Sequence, residues 1–184
     1  MKFSNRKAAQ VAAFFLKEEG GSTEILKLMK LMYLAERESI KTYGELITGD
    51  SFCAMEYGPV LSRTYDLTKL APKSAKKGWS DWISERDGKY LKLTKEEPLN
   101  LLSRADFAVL RKVWDEFGHL TPFELAEETH RLCAEWQDPG KSSRPISYEN
   151  TALAVGHNKI AAEEISQRIS NQRELDTYLE NVGA

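Results

Sequence analysis

The chain has 184 residues, of which 41% are hydrophobic and 29% are charged, as is typical of one folded domain with a substantial core. The 26 basic and 28 acidic residues give a formal charge of -2, so no overall positive charge holds the chain on nucleic acid or on an anionic membrane. No apolar run approaches the roughly 20 residues of a membrane span, and no signal-peptide layout is visible, so a cytoplasmic protein is expected.

Two helices are predicted at the N-terminal end of the chain. The first covers residues 5–19, with Ser4 or Asn5 as its cap and two glycines after it. The second covers residues 22–43, begins at a serine that can cap it, and stops at Gly44. Apolar side chains surround most of this second helix, which indicates a central helix packed on several neighbours.

The middle of the chain predicts a connection, a helix and a hairpin. Helical periodicity fails over residues 45–57, where a structured connection is expected. The Gly58-Pro59 pair then predicts a helix over residues 59–70, with proline at its favoured first position. Further on, an Asp-Gly pair within residues 82–93 lies between alternating β-forming residues and predicts a small two-stranded hairpin.

Two capping boxes mark helices in the second half of the chain. Ser103 and Thr121 each stand three residues before an acidic residue, the spacing at which both side chains bond to backbone amides. They predict one helix that stops at Gly118 and another that ends near Gln137.

The last part of the chain predicts a loop and two further helices. Pro, Gly, Lys and Ser residues indicate an exposed loop over residues 138–145. A short helix is expected over residues 146–156, and a final amphipathic helix begins at Asn158. In all, the sequence predicts a mainly α single domain over residues 1–184, with about six helices and one small β-hairpin.

The sequence lacks a glycine-rich phosphate loop, a nucleophile elbow and a His-Glu-x-x-His zinc motif, which weakens the enzyme class without excluding it, and no cofactor is expected. One alternative is a metal-dependent enzyme, because Glu127, His130 and Cys133 share one predicted helix face. The opposing interpretation is a hydrogen-bonded histidine beside a buried cysteine. Cys53 and Cys133 are too few for a disulfide framework and are expected to be buried.

Basic residues recur along the second predicted helix, at Lys27, Lys30, Arg37 and Lys41. One interpretation is the solvated face of an otherwise apolar helix, paired with nearby glutamates. The other is an exposed basic surface for an acidic partner or RNA, which the basic segment of residues 73–77 would extend.

Two tryptophans, Trp79 and Trp82, lie in a polar segment beside the predicted hairpin. Large amphipathic side chains of this kind anchor protein interfaces, and they also attach small hairpins to a core. The sequence leaves both interpretations open.

Three stretches, in this order, resemble one protein family. They are Lys-Leu-Met-Lys-Leu-Met-Tyr-Leu-Ala-Glu-Arg at residues 27–37, Gly-Asp-Ser-Phe-Cys-Ala-Met-Glu-Tyr-Gly-Pro-Val at residues 49–60, and the segment from Leu125 through Thr129 and His130 to Trp136. The order resembles the Panacea domain, also described as SocA-like or phage-associated GepA-like, of antitoxins. The resemblance covers roughly residues 5–180. One departure is Glu135, which stands where the family usually has a proline.

The resemblance implies a non-enzymatic antitoxin that neutralises a toxin encoded beside it by direct protein–protein contact. The alternative that it implies is a proteolytic adaptor, which hands a toxin or another client to a AAA+ protease. Direct DNA binding is not expected, because the sequence shows no helix-turn-helix pair with a basic recognition helix. No membrane partner is expected either.

The family motifs are interpreted as structural. Gly-Pro before a helix fixes the backbone and the preceding tyrosine can pack beneath it, while the histidine and tryptophan tie a helix to the next loop. These motif residues are Tyr57, Gly58, Pro59, His130 and Trp136. The candidate toxin surfaces are the hairpin with Trp82, the basic residues of the second helix and the exposed loop of residues 138–145. The candidate partner-contact residues are Trp82, Lys27, Lys30, Arg37 and Arg63.

Overall fold

The computed structural model describes residues 2–69 and 77–182, and in this part of the chain the fold is mainly α, as predicted. The described residues form seven helices, rather than about six, and two small sheets. In chain order the elements are α1 (Asn5–Glu18), β1 (Ser22–Glu24), α2 (Ile25–Tyr43), β2 (Phe52–Met55), β3 (Gly58–Leu61), α3 (Ser62–Leu67), β4 (Tyr90–Lys92), α4 (Arg104–Phe117), α5 (Pro122–Leu132), β5 (Arg144–Ile146), α6 (Tyr148–Ala154) and α7 (Lys159–Val182).

Helix α2 is the centre of the protein, as its apolar circumference predicts. It packs against α1, α4, α5, α6 and β3. Nearly all side chains in its N-terminal half are therefore buried, on every side of the helix. Leu28, Leu31, Met32 and Tyr33 are completely buried. Gly44 ends the helix in the left-handed conformation, with φ of 64°.

The predicted start of the second helix is wrong, because the segment after the glycine pair forms a strand first. β1 pairs antiparallel with β4, and Thr23 lies opposite Leu91. The Ile25 amide also donates to the Lys89 carbonyl at 2.8 Å. This pairing holds Ser22 in extended backbone, and α2 therefore begins only at Ile25.

The predicted helix over residues 59–70 is also wrong in its first part. β2 and β3 form a hairpin with Ala54 opposite Pro59, and α3 begins only at Ser62. Proline is tolerated in β3 because the strand lies at the edge of the sheet, where its missing N–H removes no ladder bond. β5 pairs with the other side of β2, so the strand order is β3-β2-β5.

The predicted hairpin around the Asp-Gly pair is present only as isolated bridges. Asp87 and Tyr90 exchange two backbone hydrogen bonds, at 3.0 and 2.9 Å, and Ile83 bridges Leu93. The regular partner of β4 is β1, which pairs along the other side of this strand. The prediction of a turn at the Asp-Gly pair is therefore correct, but the prediction of the strand that pairs with β4 is wrong.

Both predicted capping boxes are confirmed. The Ser103 hydroxyl accepts from the Asp106 amide at 3.1 Å, and the Asp106 carboxylate accepts from the Ser103 amide at 2.8 Å. Thr121 and Glu124 form the same reciprocal pair at the start of α5. Helix α5 ends at Leu132, well before the predicted end, because the chain turns there to bring the following tryptophan over β2.

Helix α7 begins after Asn158, whose side chain accepts from the Ala161 amide at 3.0 Å. Its first half buries Ala162, Ile165 and Ile169 against the rest of the protein. Its second half presents an apolar row to solvent, which we call the α7 stripe: Leu175, Tyr178, Leu179 and Val182. Within the described residues, no helix has the length and apolar character needed to cross a membrane.

Candidate partner-binding site

A groove of about 350 Å³ opens beside the N-terminal half of α2, and we call it the α2 groove. Its walls come from α2 and from the turn between β2 and β3, and its rim comes from two loops distant in the chain. The residues on which the following description depends are Leu26, Met29 and Lys30 of α2, Met55, Tyr57 and Gly58 of the turn, and Arg86, Lys89 and Lys141 of the rim.

The turn between β2 and β3 packs directly on α5. Gly58 has φ of +94°, and a Cβ atom on it would lie 2.6 Å from the Thr129 hydroxyl oxygen. Both the backbone conformation and the lack of space for a Cβ atom therefore favour glycine at this position, which supports a structural interpretation of Gly58. Tyr57 differs from the prediction, since it does not pack beneath a helix: 56% of it is exposed, at the groove. The helix that was expected to cover it begins only at Ser62.

Replacing Gly58 with alanine is expected to lower the free energy of unfolding by about 2 kcal/mol, because the new methyl group combines backbone strain with a clash at Thr129. Gly88→Ala is the matched control: Gly88 also has positive φ, but its Cβ position is open. The control should lose about 1 kcal/mol. Urea denaturation of both variants measures the difference, and equal losses would contradict the close packing.

His130 and Trp136 tie the end of α5 to β2, in line with the structural interpretation of these two residues. Their rings stack with centroids 4.1 Å apart, and the Trp136 indole N–H donates to the Met55 carbonyl at 3.0 Å. Burial, and then the nearby charge of Lys30, lower the pKa of His130. Within the described residues its Nε2 atom is buried without a hydrogen-bond partner.

The geometry gives no support to the metal-dependent alternative. Within the described ranges, no group of three His, Cys, Asp or Glu side chains is placed to hold a metal ion. Burial raises the pKa of the Cys133 thiol to about 12, so the thiol stays protonated at neutral pH and is a poor nucleophile. Cys133 is buried, as predicted, and Cys53 is only partly so.

The predicted basic stripe on the second helix is wrong, because its members turn inward. Lys27 pairs with Glu19 and donates to the Gly118 carbonyl at 2.7 Å. Lys30 is 1% exposed and donates to the Pro59 carbonyl at 2.9 Å. These carbonyls attract the two ammonium groups into the protein, so neither lysine forms a solvated face or an exposed surface.

Arg37 is also engaged inside the protein. Its Nε donates to the Glu135 carboxylate at 2.9 Å and its Nη2 to the Leu132 carbonyl at 2.8 Å. The Tyr33 hydroxyl donates to the same carboxylate at 2.8 Å. Glu135 therefore fixes the end of α5 to α2. Of the four residues in the predicted stripe, Lys41 is exposed.

The remaining sequence candidates are distributed over the fold. Trp79 and Trp82 are 1% and 6% exposed, so they attach the hairpin segment to the core, and the interface interpretation of Trp82 is wrong. Arg63 is exposed and lies over the Phe3 ring, away from the α2 groove. The basic segment of residues 73–77 lies, apart from Lys77, outside the described residues.

A model of the family described as antitoxin SocA-like, Panacea domain, matches residues 28–137. The chain belongs to this family. The Panacea match begins in α2 and ends just after Trp136, so it contains β2, β3, α4 and α5. β5, α6 and α7 lie beyond it. No curated protein and no solved structure matches the chain at a significant level.

Within this SocA-like chain, sequence reasoning named both rim segments of the α2 groove as candidate surfaces but did not place them side by side. Arg86 and Lys89 come from the Asp-Gly turn, and Lys141 comes from the loop after the Panacea match. Only the fold brings these three cations to one opening. Two sequence signals pointed to the rim: the predicted hairpin, which contains Arg86 and Lys89, and the exposed-loop composition of residues 138–145, and each marked a candidate surface.

Proposed function

We propose that this chain is an antitoxin that neutralises a cognate toxin by direct, stoichiometric protein–protein binding, without a catalytic step. The observation that carries the proposal is the family membership, since the match to the antitoxin family covers the centre of the fold. The structure supports it with two features suited to a protein partner, the α2 groove and the α7 stripe.

The α7 stripe has the pattern of a helix that binds a protein. Leu175, Tyr178, Leu179 and Val182 follow the spacing i, i+3, i+4 and i+7, and between 49% and 64% of each is exposed. Four apolar residues in one row form a continuous strip, unlike the single exposed hydrophobic residues common on protein surfaces.

The test is co-expression of this chain with the protein encoded next to it, with growth and co-purification measured together. We expect the neighbouring protein to stop growth when expressed alone, and the chain to restore growth at equimolar or higher amounts. A stable complex should then purify. A toxic neighbour that is rescued by far less than one equivalent would contradict stoichiometric binding, and a neighbour that neither binds nor affects growth would contradict the antitoxin role.

The second candidate function is a proteolytic adaptor that delivers the toxin to a AAA+ protease. One observation favours it: an adaptor needs two separate surfaces, and the α2 groove and α7 lie toward opposite ends of α2. Arg168 of α7 donates to the Gly44 carbonyl at the C-terminal end of α2, whereas Lys30 is about 20 Å away along the helix.

The lifetime of the toxin distinguishes the two functions. In a pulse-chase experiment, an adaptor shortens the half-life of the toxin when the chain is present, and the effect disappears in cells that lack the protease. Simple sequestration leaves the half-life unchanged or lengthens it, because binding stabilises the folded toxin.

A further inference from the structure

We propose that the α2 groove binds a short acidic segment of the toxin, with its carboxylates directed toward the cations of the groove and its apolar side chains against the walls. The inference rests on the proposed antitoxin function and adds to it the place and the chemistry of the contact. Three observations support it: the charge of the groove, the character of its walls and its size.

The charge of the groove is positive and partly unneutralised. Of its cations, Lys89 pairs with Glu24 at 2.8 Å. Among the described residues, Lys30, Arg86 and Lys141 form no ion pair, and Glu56 is the one further acid that lines the groove. Arg86 donates to the Gly88 carbonyl at 2.6 Å and Lys30 to the Pro59 carbonyl, so an occupant with carboxylates would add the anionic partners that these cations lack in the described part of the chain.

Lys30 adds a cation beneath the opening. The carbonyl of Pro59 is its hydrogen-bond acceptor, and within the described chain no carboxylate lies at ion-pair distance from its ammonium group. Burial lowers the pKa of Lys30 to about 7. A buried cation of this kind is costly unless an anion approaches it, so the groove is electrostatically prepared for a negative occupant.

The walls of the groove are apolar, which selects a peptide over a nucleic acid. Leu26, Met29, Met55 and Tyr65 line it, and Tyr57 stands half-exposed at its side. Methionine adapts its shape to different side chains, and an exposed tyrosine supplies a rigid contact with a polar end. A nucleic acid needs a row of exposed cations along its phosphates, and this protein has a net charge of -2.

The size of the groove limits the occupant to a short segment. Its volume of about 350 Å³ is near the lower end of ligand-site volumes and holds a few side chains, not a folded element. An extended stretch of the toxin that carries one or two acidic residues between apolar ones fits both the volume and the chemistry.

The test uses the full chain and the purified protein encoded beside it, with binding measured by calorimetry. The double variant Arg86→Glu with Lys141→Glu reverses the two rim charges that form no ion pair among the described residues, and it leaves Lys89, which pairs with Glu24, in place. The matched control is Arg104→Glu with Lys159→Glu, which changes the net charge equally at the starts of α4 and α7, outside the groove, where acidic residues are compatible with the helix dipole.

We expect the groove variant to bind at least 30-fold more weakly than the unmodified chain, and the control to remain within threefold. Both variants should keep the circular-dichroism spectrum of the unmodified chain. If the unmodified chain neutralises the toxin and the groove variant binds as tightly as the control, the inference is overturned and the proposed function stands. If the unmodified chain does not bind the neighbouring protein, both are overturned.

A second measurement locates the contact without a mutation. Methyl-labelled methionine gives separate NMR signals for Met29 and Met55 in the groove and for Met32 in the core. Addition of the toxin should shift the first two signals and leave the Met32 signal in place. A complex in which neither groove methionine signal shifts would overturn the inference. It would also be overturned if the chain bound a 20-nucleotide oligo(U) RNA more tightly than the toxin and the groove variant lost this RNA binding.

Discussion

Replacing Asp50 with alanine is expected to lower the free energy of unfolding by about 4 kcal/mol, the largest single effect that we predict for this protein. Asp50 is completely buried between β2 and α3. Its carboxylate accepts from the amides of Ser51, Arg63 and Thr64 at 2.7 to 2.9 Å, and from the Thr64 hydroxyl at 2.7 Å. Alanine leaves four donors without an acceptor, three of them at the start of a helix that has no other side-chain cap.

Two comparison variants make the Asp50 prediction specific. Asp50→Asn keeps one acceptor oxygen but turns an amide group toward hydrogen-bond donors, so its loss should be intermediate. Asp66→Ala removes an exposed carboxylate from the same helix and should change stability by no more than about 0.5 kcal/mol. Urea denaturation measures all three. A loss for Asp50→Ala no larger than that for Asp66→Ala would show that the network contributes little.

Replacing Lys30 with methionine is expected to stabilise the isolated chain at pH 7, by on the order of 3 kcal/mol. Burial holds the pKa of Lys30 at about 7, far below the ordinary lysine value of 10.5 that applies in the unfolded chain. Folding at neutral pH must therefore remove a proton or bury a charge, and methionine avoids that cost while filling the same space. The loss of the hydrogen bond to the Pro59 carbonyl offsets part of the gain.

The pH dependence separates this cause from a general packing effect. Above pH 7 the folded state of Lys30 is mostly neutral while the unfolded state still binds its proton, so stability rises with pH until the unfolded pKa is reached. Between pH 7 and 8.5, the advantage of Lys30→Met over the unmodified chain should shrink by about 1.5 kcal/mol. Burial raises the pKa of Glu36 from 4.5 to about 7, so this group lowers stability as the pH rises between those two values and contributes little above pH 7. Glu36 is present in both proteins, so its effect cancels in the difference.

Lys27→Met is the matched control, since Lys27 is the other inward lysine of α2. Its removal leaves Glu19 without its cation and the Gly118 carbonyl without its donor, so this variant should be less stable than the unmodified chain. Two results would contradict the claim that the burial of Lys30 costs stability at pH 7. One is a Lys30→Met variant less stable than the unmodified chain, and the other is a stability difference between them that does not change with pH. If Lys30→Met is more stable but binds the protein encoded beside it more weakly, the unmodified chain has lower stability in exchange for tighter binding.

The sequence predicts those parts of the fold whose causes are local. The capping boxes at Ser103 and Thr121 need only residues three positions apart, and both form as expected. Gly44 stops α2 because the left-handed backbone conformation suits glycine, and this too is readable from the chain. The apolar side chains around α2 are also a local pattern, and they correctly predict that α2 lies at the centre of the fold.

The errors come from pairings that join distant segments. β1 becomes a strand because β4 lies beside it, and β2 becomes one because β3 and β5 flank it. Pro59 carries a strong helix-start signal, but an edge strand accepts proline as readily, and only the position of β3 in the sheet decides between them.

The candidate site shows the same limit. Lysines at helical spacing indicate a solvated face. Lys27 and Lys30 nevertheless point inward, because their ammonium groups donate hydrogen bonds to the carbonyls of Gly118 and Pro59. No local pattern carries that information. The α2 groove likewise combines a turn, a helix and a loop, and the motif residue Tyr57 gains its exposure from a strand where a helix was expected.

The late position of β5 in the chain has a consequence for biosynthesis. The sheet is complete only when residues 144–146 reach β2, and Tyr148 then adds a hydrogen bond from its hydroxyl to the Asp50 carbonyl at 2.8 Å. A nascent chain that has not yet reached this point has an unpaired β2 edge, which is a template for aggregation. Folding therefore waits for most of the chain to leave the ribosome, and a prematurely terminated product is aggregation-prone as well as incomplete.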